Sequence, residues 1–185
     1  MARDPRTTMV AGAAELLGAR GVGATSVREL AKFTGAPLGS TYHYFPGGKD
    51  QLVEEAVGWV SGRIEKLLSR TGDQGALAVL DAFIANWREF LIASDYQASC
   101  PVLAVATEDT VTAGPARAAF AKWHDLLVEA LRREGVAPKR AGRLAWLIVG
   151  SIEGAVVMSR SQRSPEPMEA VAAELRGVIR EAVKP

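Results

Sequence analysis

The 185-residue sequence has little cysteine, little histidine and almost no excess of charge of one sign. Its single cysteine, Cys100, excludes an internal disulfide framework. A formal net charge of +1 excludes a polybasic protein that coats nucleic acid or anionic lipid indiscriminately. Neither a cysteine nor a second histidine lies at metal-ligand spacing from His124, so we predict no metal site and no cofactor.

Long hydrophobic runs are also missing. The longest, from Ala145 to Ile152, falls far short of the roughly 20 residues that span a bilayer, and Glu153 interrupts its continuation to Met158. We expect no signal peptide at the Met1 end, because the first residues lack an apolar core segment. We therefore predict a cytoplasmic protein without a membrane partner.

Apolar residues at helical spacing are abundant. They make up 48% of the chain, which is ample for a core. They recur at i, i+3, i+4 and i+7 nearly throughout, and no window alternates with period two for long. The pattern predicts an all-α fold of about nine helices, in which a three-helix N-terminal head precedes a C-terminal helical bundle. We place the head at residues 1–48 and the body at residues 49–185.

The head contains the most informative pattern of the sequence. Ser26 can cap a short helix, with Glu29 as its capping-box partner. Gly35 permits a tight reversal before a second short helix that begins at Pro37. Two short helices joined by such a turn form a helix-turn-helix, whose second helix can enter the major groove of DNA. Residues 1–49 carry a net charge of +3 against −2 for the remainder, which favours DNA contact at this end.

Three stretches of the head resemble a known family. Residues 25–31 (TSVRELA), 35–45 (GAPLGSTYHYF) and 49–52 (KDQL) look like the DNA-binding head of TetR-family transcriptional regulators. One residue more than is common separates Phe45 from Lys49. This longer form resembles the LmrA/YxaF-like branch of the family.

The resemblance implies which head residues contact DNA. Pro37 stands where a serine or threonine is usual, so the resemblance also implies that the second helix lacks its side-chain cap. Tyrosine hydroxyls, an imidazole and a lysine are suitable partners for phosphate oxygens. The residues assigned to contacts with bases or phosphates are Thr25, Ser26, Leu38, Gly39, Ser40, Tyr42, His43 and Lys49.

Aromatic side chains at helical spacing in the body have two interpretations. Such residues are most often core, but they also line ligand pockets between helices. The resemblance implies a pocket for a small effector, and the lining residues that we predict are Trp87, Phe90, Leu91, Val105, Trp123 and Glu153. A buried carboxylate needs a partner, so Glu153 should face Arg160, Arg163, a polar pocket or a second subunit.

The last two helices are predicted to form a dimer interface. Gly150 and Gly154 lie on one stripe, and small residues let helices pack closely. The residues predicted to face a second copy are Ile148, Ser151, Ile152, Ala155, Val156, Leu175, Val178 and Ile179. Pairing with a two-fold mate gives a four-helix bundle, which is how the family dimerises. A two-fold dimer places two recognition helices about one DNA turn (~34–36 Å) or a multiple apart.

These observations predict a homodimeric, DNA-binding transcriptional regulator. By resemblance it is a repressor that a small apolar or amphipathic effector releases from a palindromic operator. Two alternatives stay open, namely a transcriptional activator and a dimeric ligand-binding or interaction module whose head does not bind DNA. An α-helical enzyme is disfavoured, because the sequence lacks a glycine-rich phosphate loop after a strand and a nucleophile elbow. We therefore predict no catalytic residues.

Overall fold

A computed structural model describes residues 4–108 and 113–184 of the chain. Over these ranges the backbone forms nine α-helices and one 3₁₀ turn, and no strand. The helices are α1 (Pro5–Arg20), α2 (Val27–Thr34), α3 (Leu38–Tyr44), α4 (Gly48–Thr71), α5 (Ala76–Ala93), α6 (Pro101–Ala106), α7 (Ala113–Arg133), α8 (Pro138–Gln162) and α9 (Glu166–Ala182), with the 3₁₀ turn at Gly72–Gln74. The all-α architecture predicted from the sequence is confirmed.

Local sequence signals set the ends of the first helices. Asp4 caps α1, because its carboxylate accepts hydrogen bonds from the backbone N–H and the hydroxyl of Thr7, at 3.0 and 3.1 Å. These two hydrogen bonds lower the pKa of the Asp4 carboxyl. Ser26 caps α2 as predicted, since its Oγ accepts a hydrogen bond from the backbone N–H of Glu29 at 3.1 Å.

The described residues pack into two compact units. The first comprises Met1–Gly62 and Cys100–Ala119, and the second comprises Arg63–Ser99 and Phe120–Pro185, as far as these ranges are described. The division into two packed units does not show which residues bind DNA and which bind an effector. The division between a head at residues 1–48 and a body at residues 49–185 therefore stays a prediction.

In the first unit, α1 packs against α2 and α6, and α2 packs against α3. The approach of α1 to α2 is very close at Gly12, where a Cβ would lie only 2.6 Å from Cγ2 of Thr34. The phenyl ring of Phe45 is fully buried. The other large core side chains that α1, α2 and the start of α4 contribute are Met9, Val10, Leu16, Leu17, Val27, Leu30, Leu52 and Val53.

In the second unit, α5 packs against α8 and α9, and α8 packs against α9. Gly75 provides no side-chain cap for α5. The carboxylate of Glu134 takes that role from the loop between α7 and α8, because its Oε2 accepts a hydrogen bond from the backbone N–H of Ala76 at 2.6 Å. A cap from a residue so far along the chain leaves no signal in the local sequence.

By length and composition, α8 is the one helix of the described ranges that is long and apolar enough to cross a membrane. Half of its most apolar stretch is buried inside the protein. Core helices of water-soluble proteins pass the same test, so α8 by itself is only a weak indication of a membrane span.

Candidate nucleic-acid interface

The helices α2 and α3 form a helix-turn-helix. Gly35 ends α2 in the left-handed conformation, with a φ of 68° that residues carrying a Cβ rarely adopt. Pro37 precedes α3 and provides no side-chain hydrogen bond to its first turn. The implied absence of a side-chain cap is therefore confirmed, and α3 packs against α2 without it.

One side of α3 is buried and the other is exposed. Thr41 is fully buried, and its hydroxyl donates a hydrogen bond to the carbonyl oxygen of Pro37 at 3.1 Å. Leu38 and Tyr42 lie one turn apart on the exposed side of α3 and are 41% and 50% exposed. The residues of α3 that are exposed are Leu38, Gly39, Ser40, Tyr42 and His43. The residues predicted to contact DNA from α3 therefore share one accessible surface.

The two predicted DNA contacts that precede α2 differ in their exposure. Thr25 is only 1% exposed, and its hydroxyl donates a hydrogen bond to the carbonyl oxygen of Gly21 at 2.8 Å. The Thr25 side chain therefore packs inside the protein and has no surface to present to a phosphate. Ser26 is half-buried, and its Oγ acts as an acceptor in the cap of α2. Its hydroxyl hydrogen can still be donated to a phosphate oxygen.

Lys49 lies in the first turn of α4, directly after the turn that follows α3. This turn is closed by the backbone N–H of Gly48, which donates a hydrogen bond to the carbonyl oxygen of Phe45 at 3.0 Å. Gly48 has a φ of 69°, a conformation that favours glycine at this position of the turn. The ammonium of Lys49 is exposed, and no ion pair between described residues involves it.

Gln51 braces this turn, although sequence reasoning does not identify it. Its Oε1 accepts a hydrogen bond from the backbone N–H of Gly47 at 2.8 Å, and its Nε2 donates to the carbonyl oxygen of Tyr44 at 3.3 Å. Nε2 also donates to Glu55 Oε1 at 2.8 Å, and Nη2 of Arg6 donates to the same oxygen at 2.6 Å. The hydrogen bonds thus connect the turn before Lys49 to both α1 and α4. The only sequence feature that relates to this hydrogen bond is the four-residue spacing between Gly47 and Gln51.

The charges around α2 are partly neutralised. Nζ of Lys32 donates a hydrogen bond to Glu29 at 2.8 Å, and a guanidinium nitrogen of Arg20 lies 3.8 Å from the same carboxylate. The hydrogen bond and charge of Lys32, and then the charge of Arg20, lower the pKa of the Glu29 carboxyl. No ion pair between described residues involves the exposed Arg28. Arg28 on α2 and Lys49 on α4 are therefore exposed cations that form no ion pair with a described carboxylate.

The short helix α3 is exposed on one side and rests on buried residues on the other, and exposed cations precede and follow it in the chain. This arrangement is that of a helix-turn-helix DNA-binding protein. Comparisons with known proteins agree. A family model described as "Bacterial regulatory proteins, tetR family" matches residues 9–56, and one described as "Transcriptional regulator LmrA/YxaF-like, C-terminal domain" matches residues 76–174. The chain is 36% identical to the HTH-type transcriptional regulator Rv0196 of Mycobacterium tuberculosis, over 96% of this chain and 95% of that protein. The chain therefore belongs to the TetR family of bacterial transcriptional regulators, in its LmrA/YxaF-like branch.

Solved structures share the fold. A TetR transcriptional regulator from Legionella pneumophila matches with a TM-score of 0.84 at 20% identity, over 99% of each chain. SmeT, solved as a complex with triclosan, matches with a TM-score of 0.63 at 20% identity, over 91% of this chain and 90% of SmeT. Regulators of this family bind DNA operators, form dimers and bind small-molecule effectors.

Five aromatic rings meet in the second unit, and three of them are predicted effector contacts. We call Phe83, Trp87, Phe90, Phe120 and Trp123 the aromatic cluster. The ring centroids of Trp87 and Trp123 lie 6.4 Å apart, and both indoles are buried. Phe90 stands edge-on to Trp87 at 5.7 Å and is half-buried. The structure thus brings Trp87, Phe90 and Trp123 together.

The other three predicted effector contacts are buried side chains of α5, α6 and α8. Leu91 on α5, Val105 on α6 and Glu153 on α8 are 1%, 0% and 4% exposed. Arg163, one expected partner of Glu153, instead donates a hydrogen bond to Asp95 Oδ2 at 2.6 Å. The description of these residues as pocket lining stays a prediction.

Six of the eight residues predicted for the dimer interface are buried within the single chain. They are Ile148, Ile152, Ala155, Val156, Leu175 and Ile179, each less than 5% exposed. These side chains form core and have no surface to offer a second copy, whereas Ser151 and Val178 are partly exposed. The pattern misleads here because α8 is apolar around most of its circumference. Periodicity alone therefore does not separate its core face from an interface face.

A different side of α8 is exposed and apolar. We call its residues Leu147, Gly150, Gly154, Val157 and Met158 the α8 stripe. Leu147, Val157 and Met158 are 46%, 45% and 46% exposed. Nothing lies within 4 Å of a Cβ built on Gly150 or Gly154, so the stripe is open along its centre.

Proposed function

We propose that this TetR-family regulator is a dimeric repressor whose two α3 helices recognise an approximately palindromic operator. The observation that carries the proposal is the single exposed surface of α3, on which Leu38, Gly39, Ser40, Tyr42 and His43 lie together. A side chain on such a helix reaches base edges only if its neighbours allow a close approach. The absence of a side chain at Gly39 supports that approach.

The proposed phosphate contacts flank the base-reading surface. Lys49, Ser26 and the hydroxyl of Tyr42 supply donors, and Arg28 adds a cation that the sequence interpretation does not include. Thr25 is left out of the proposed surface because it is buried. The brace at Gln51 supports a functional head in spite of the missing cap at Pro37, because it fixes the turn that positions Lys49.

We propose that the α8 stripe forms the dimer interface, together with the small exposed residues Ala170, Ala173 and Gly177 of α9. The stripe exposes three large apolar side chains to water, each nearly half exposed, and such exposure is unfavourable in free energy. A second copy of the chain would cover them. Small residues between them allow the two helices to approach closely.

We further propose that the second unit binds a small effector that releases the operator. The aromatic cluster supports an apolar site, and the triclosan complex of SmeT shows that SmeT binds an apolar aromatic molecule. An effector releases DNA only if it binds the DNA-free conformation more tightly than the DNA-bound one. This role requires no catalytic residue, and it places the protein in the cytoplasm with the chromosome.

The test is selection of bound sequences from a random duplex library by the purified full-length protein at low salt. We expect an inverted repeat to be enriched. The Lys49→Ala variant should then bind this repeat less tightly. Its slope of log affinity against log salt should decrease by about one unit per protomer, because one phosphate contact is lost.

The Lys66→Ala variant is the matched control, since Lys66 is an exposed lysine on the same helix α4. It should retain the wild-type slope. If no sequence is enriched, the head does not bind DNA specifically, and the protein is an interaction or ligand-binding module. If promoter activity rises on binding, the protein is an activator.

A further inference from the structure

The two indoles of the aromatic cluster share an unusual property. Nε1 of Trp87 and Nε1 of Trp123 are both buried, and neither has a hydrogen-bond partner among the described residues. Trp87 is 2% exposed and Trp123 is 0% exposed, so bulk water does not reach either group. Buried polar groups in proteins are nearly always hydrogen-bonded, and two exceptions in neighbouring rings require an explanation.

Tryptophan is a costly residue in an apolar core when its indole N–H has no hydrogen-bond partner. A phenylalanine fills an apolar core without a polar atom, whereas an unsatisfied indole N–H is costly because it has lost its hydrogen bond to water. Trp87 and Trp123 contact each other and the apolar ring of Phe83 at centroid distances of 6.4, 6.4 and 5.9 Å. Two donors are thus held in an otherwise apolar set of rings.

We infer that Trp87 and Trp123 recognise an effector that is neutral and largely apolar and that carries hydrogen-bond acceptor oxygens. An indole N–H can only donate, so a ligand that satisfies it must supply an acceptor. A carbonyl or ether oxygen meets this need. The cluster rings are apolar, and a neutral ligand avoids the desolvation cost that a charged one would meet among them.

The outer rings of the cluster, Phe90 and Phe120, are its parts nearest to solvent. Phe90 packs edge-on against Trp87 at 5.7 Å, and Phe120 packs edge-on against Trp123 at 5.4 Å. Both phenylalanines are only half-buried, whereas the two indoles behind them are fully covered. Because both indoles are buried, entry of a ligand requires one of these two outer rings to move.

This inference rests on the proposed effector-binding function and specifies the chemistry that the effector must have. The probes are two planar isosteres, 2-acetylnaphthalene and 2-isopropenylnaphthalene. They differ only in a carbonyl oxygen in place of a terminal CH₂ group. Binding to the full-length protein without DNA is followed by titration calorimetry. We expect the ketone to bind on the order of tenfold more tightly, because it satisfies a donor that the alkene leaves unpaired.

The variants Trp87→Phe and Trp123→Phe remove one N–H each and keep an aromatic ring. At least one of them should abolish the preference for the ketone while still binding the alkene. The Trp146→Phe variant is the matched control, because Trp146 is 54% exposed on α8 and outside the cluster. It should keep the full preference. Circular dichroism identifies any variant that fails to fold, and the other tryptophan variant then provides the test.

Three results would overturn the inference: equal affinity for the two probes, a preference that survives in both cluster variants, and failure of both probes to bind. None of these results affects operator binding or dimer formation. A failure of the inference is therefore distinguishable from a failure of the proposed DNA-binding function, which the library selection tests separately.

Discussion

The carboxamide oxygen of Gln51 accepts a hydrogen bond from the backbone N–H of Gly47 at 2.8 Å. The fit is close, because a Cβ at Gly47 would lie 3.0 Å from both Cβ and Oε1 of Gln51. The same carboxamide donates to the carbonyl oxygen of Tyr44 at the end of α3. One side chain of α4 therefore fixes both the end of the recognition helix and the lengthened turn that leads to Lys49.

Loss of this brace should weaken DNA binding and leave the fold intact. In the Gln51→Ala variant we expect operator affinity to fall about 3- to 10-fold, as for one or two lost neutral hydrogen bonds. Fluorescence anisotropy with the selected operator measures the change. Ser69→Ala, an exposed polar site on the same helix, serves as the control. Wild-type affinity in Gln51→Ala would mean that the turn holds Lys49 without the brace.

Gly39 offers a way to separate stability from recognition. Nothing lies within 4 Å of a Cβ built on this residue, so Gly39→Ala should fold normally and gain up to about 1 kcal/mol from the better helix propensity of alanine. The same methyl group would stand between α3 and the DNA, and operator affinity should fall at least tenfold. Gly58→Ala, at an equally open position on α4, should gain stability without losing affinity. If both variants bind alike, Gly39 does not face the DNA.

The contact between α1 and α2 at Gly12 predicts a stability defect that can be rescued. In Gly12→Ala the new methyl group would meet Cγ2 of Thr34 at 2.6 Å, and overpacking of this kind costs about 1–3 kcal/mol. The hydroxyl of Thr34 donates to the carbonyl oxygen of Leu30 at 2.8 Å, and serine would keep this hydrogen bond while removing the methyl group. Urea unfolding should therefore show that Thr34→Ser restores most of the lost stability in the double variant. If Thr34→Ser does not restore stability, the overpacking in Gly12→Ala is not caused by the methyl group of Thr34.

The α8 stripe predicts a variant that separates the subunits. Leu147→Glu puts a carboxylate on the proposed interface, so analytical ultracentrifugation should show a monomer at concentrations where the wild type is a dimer. Ile92→Glu changes a similarly exposed apolar residue on α5 and should leave the dimer unchanged. A dimer that survives Leu147→Glu would exclude the stripe as the interface.

Sequence patterns predicted the elements well because their signals are local. Ser26 and Gly35 mark the ends of α2, and both act there as expected. The exposure of Leu38 and Tyr42 also follows from the resemblance of α3 to its family. The sequence did not reveal the burial of Thr25, because the Gly21 carbonyl that it binds is positioned by the end of α1. The side of α8 that faces outward depends on how α5 and α9 cover it, and that is a tertiary property.

Unsatisfied donors are equally invisible to sequence analysis. Trp87 and Trp123 could be recognised as core or pocket residues from their spacing, but not as donors without partners. The lack of a partner arises because no hydrogen-bond acceptor of the described residues lies near either Nε1 atom in the folded protein. The same holds for Glu134, whose role as the cap of Ala76 depends on a contact between residues 58 positions apart.

As a dimeric repressor, the protein should read two half-sites at once with its two α3 helices. The most direct test compares the affinity of the wild-type protein for the selected operator with its affinity for the same duplex after one half-site is scrambled, at near-physiological salt. Specific sites are typically bound 10³–10⁷ times more tightly than non-specific DNA, so loss of one half-site should weaken binding by at least about a hundredfold. Equal affinity for the intact and half-scrambled duplexes would contradict the account.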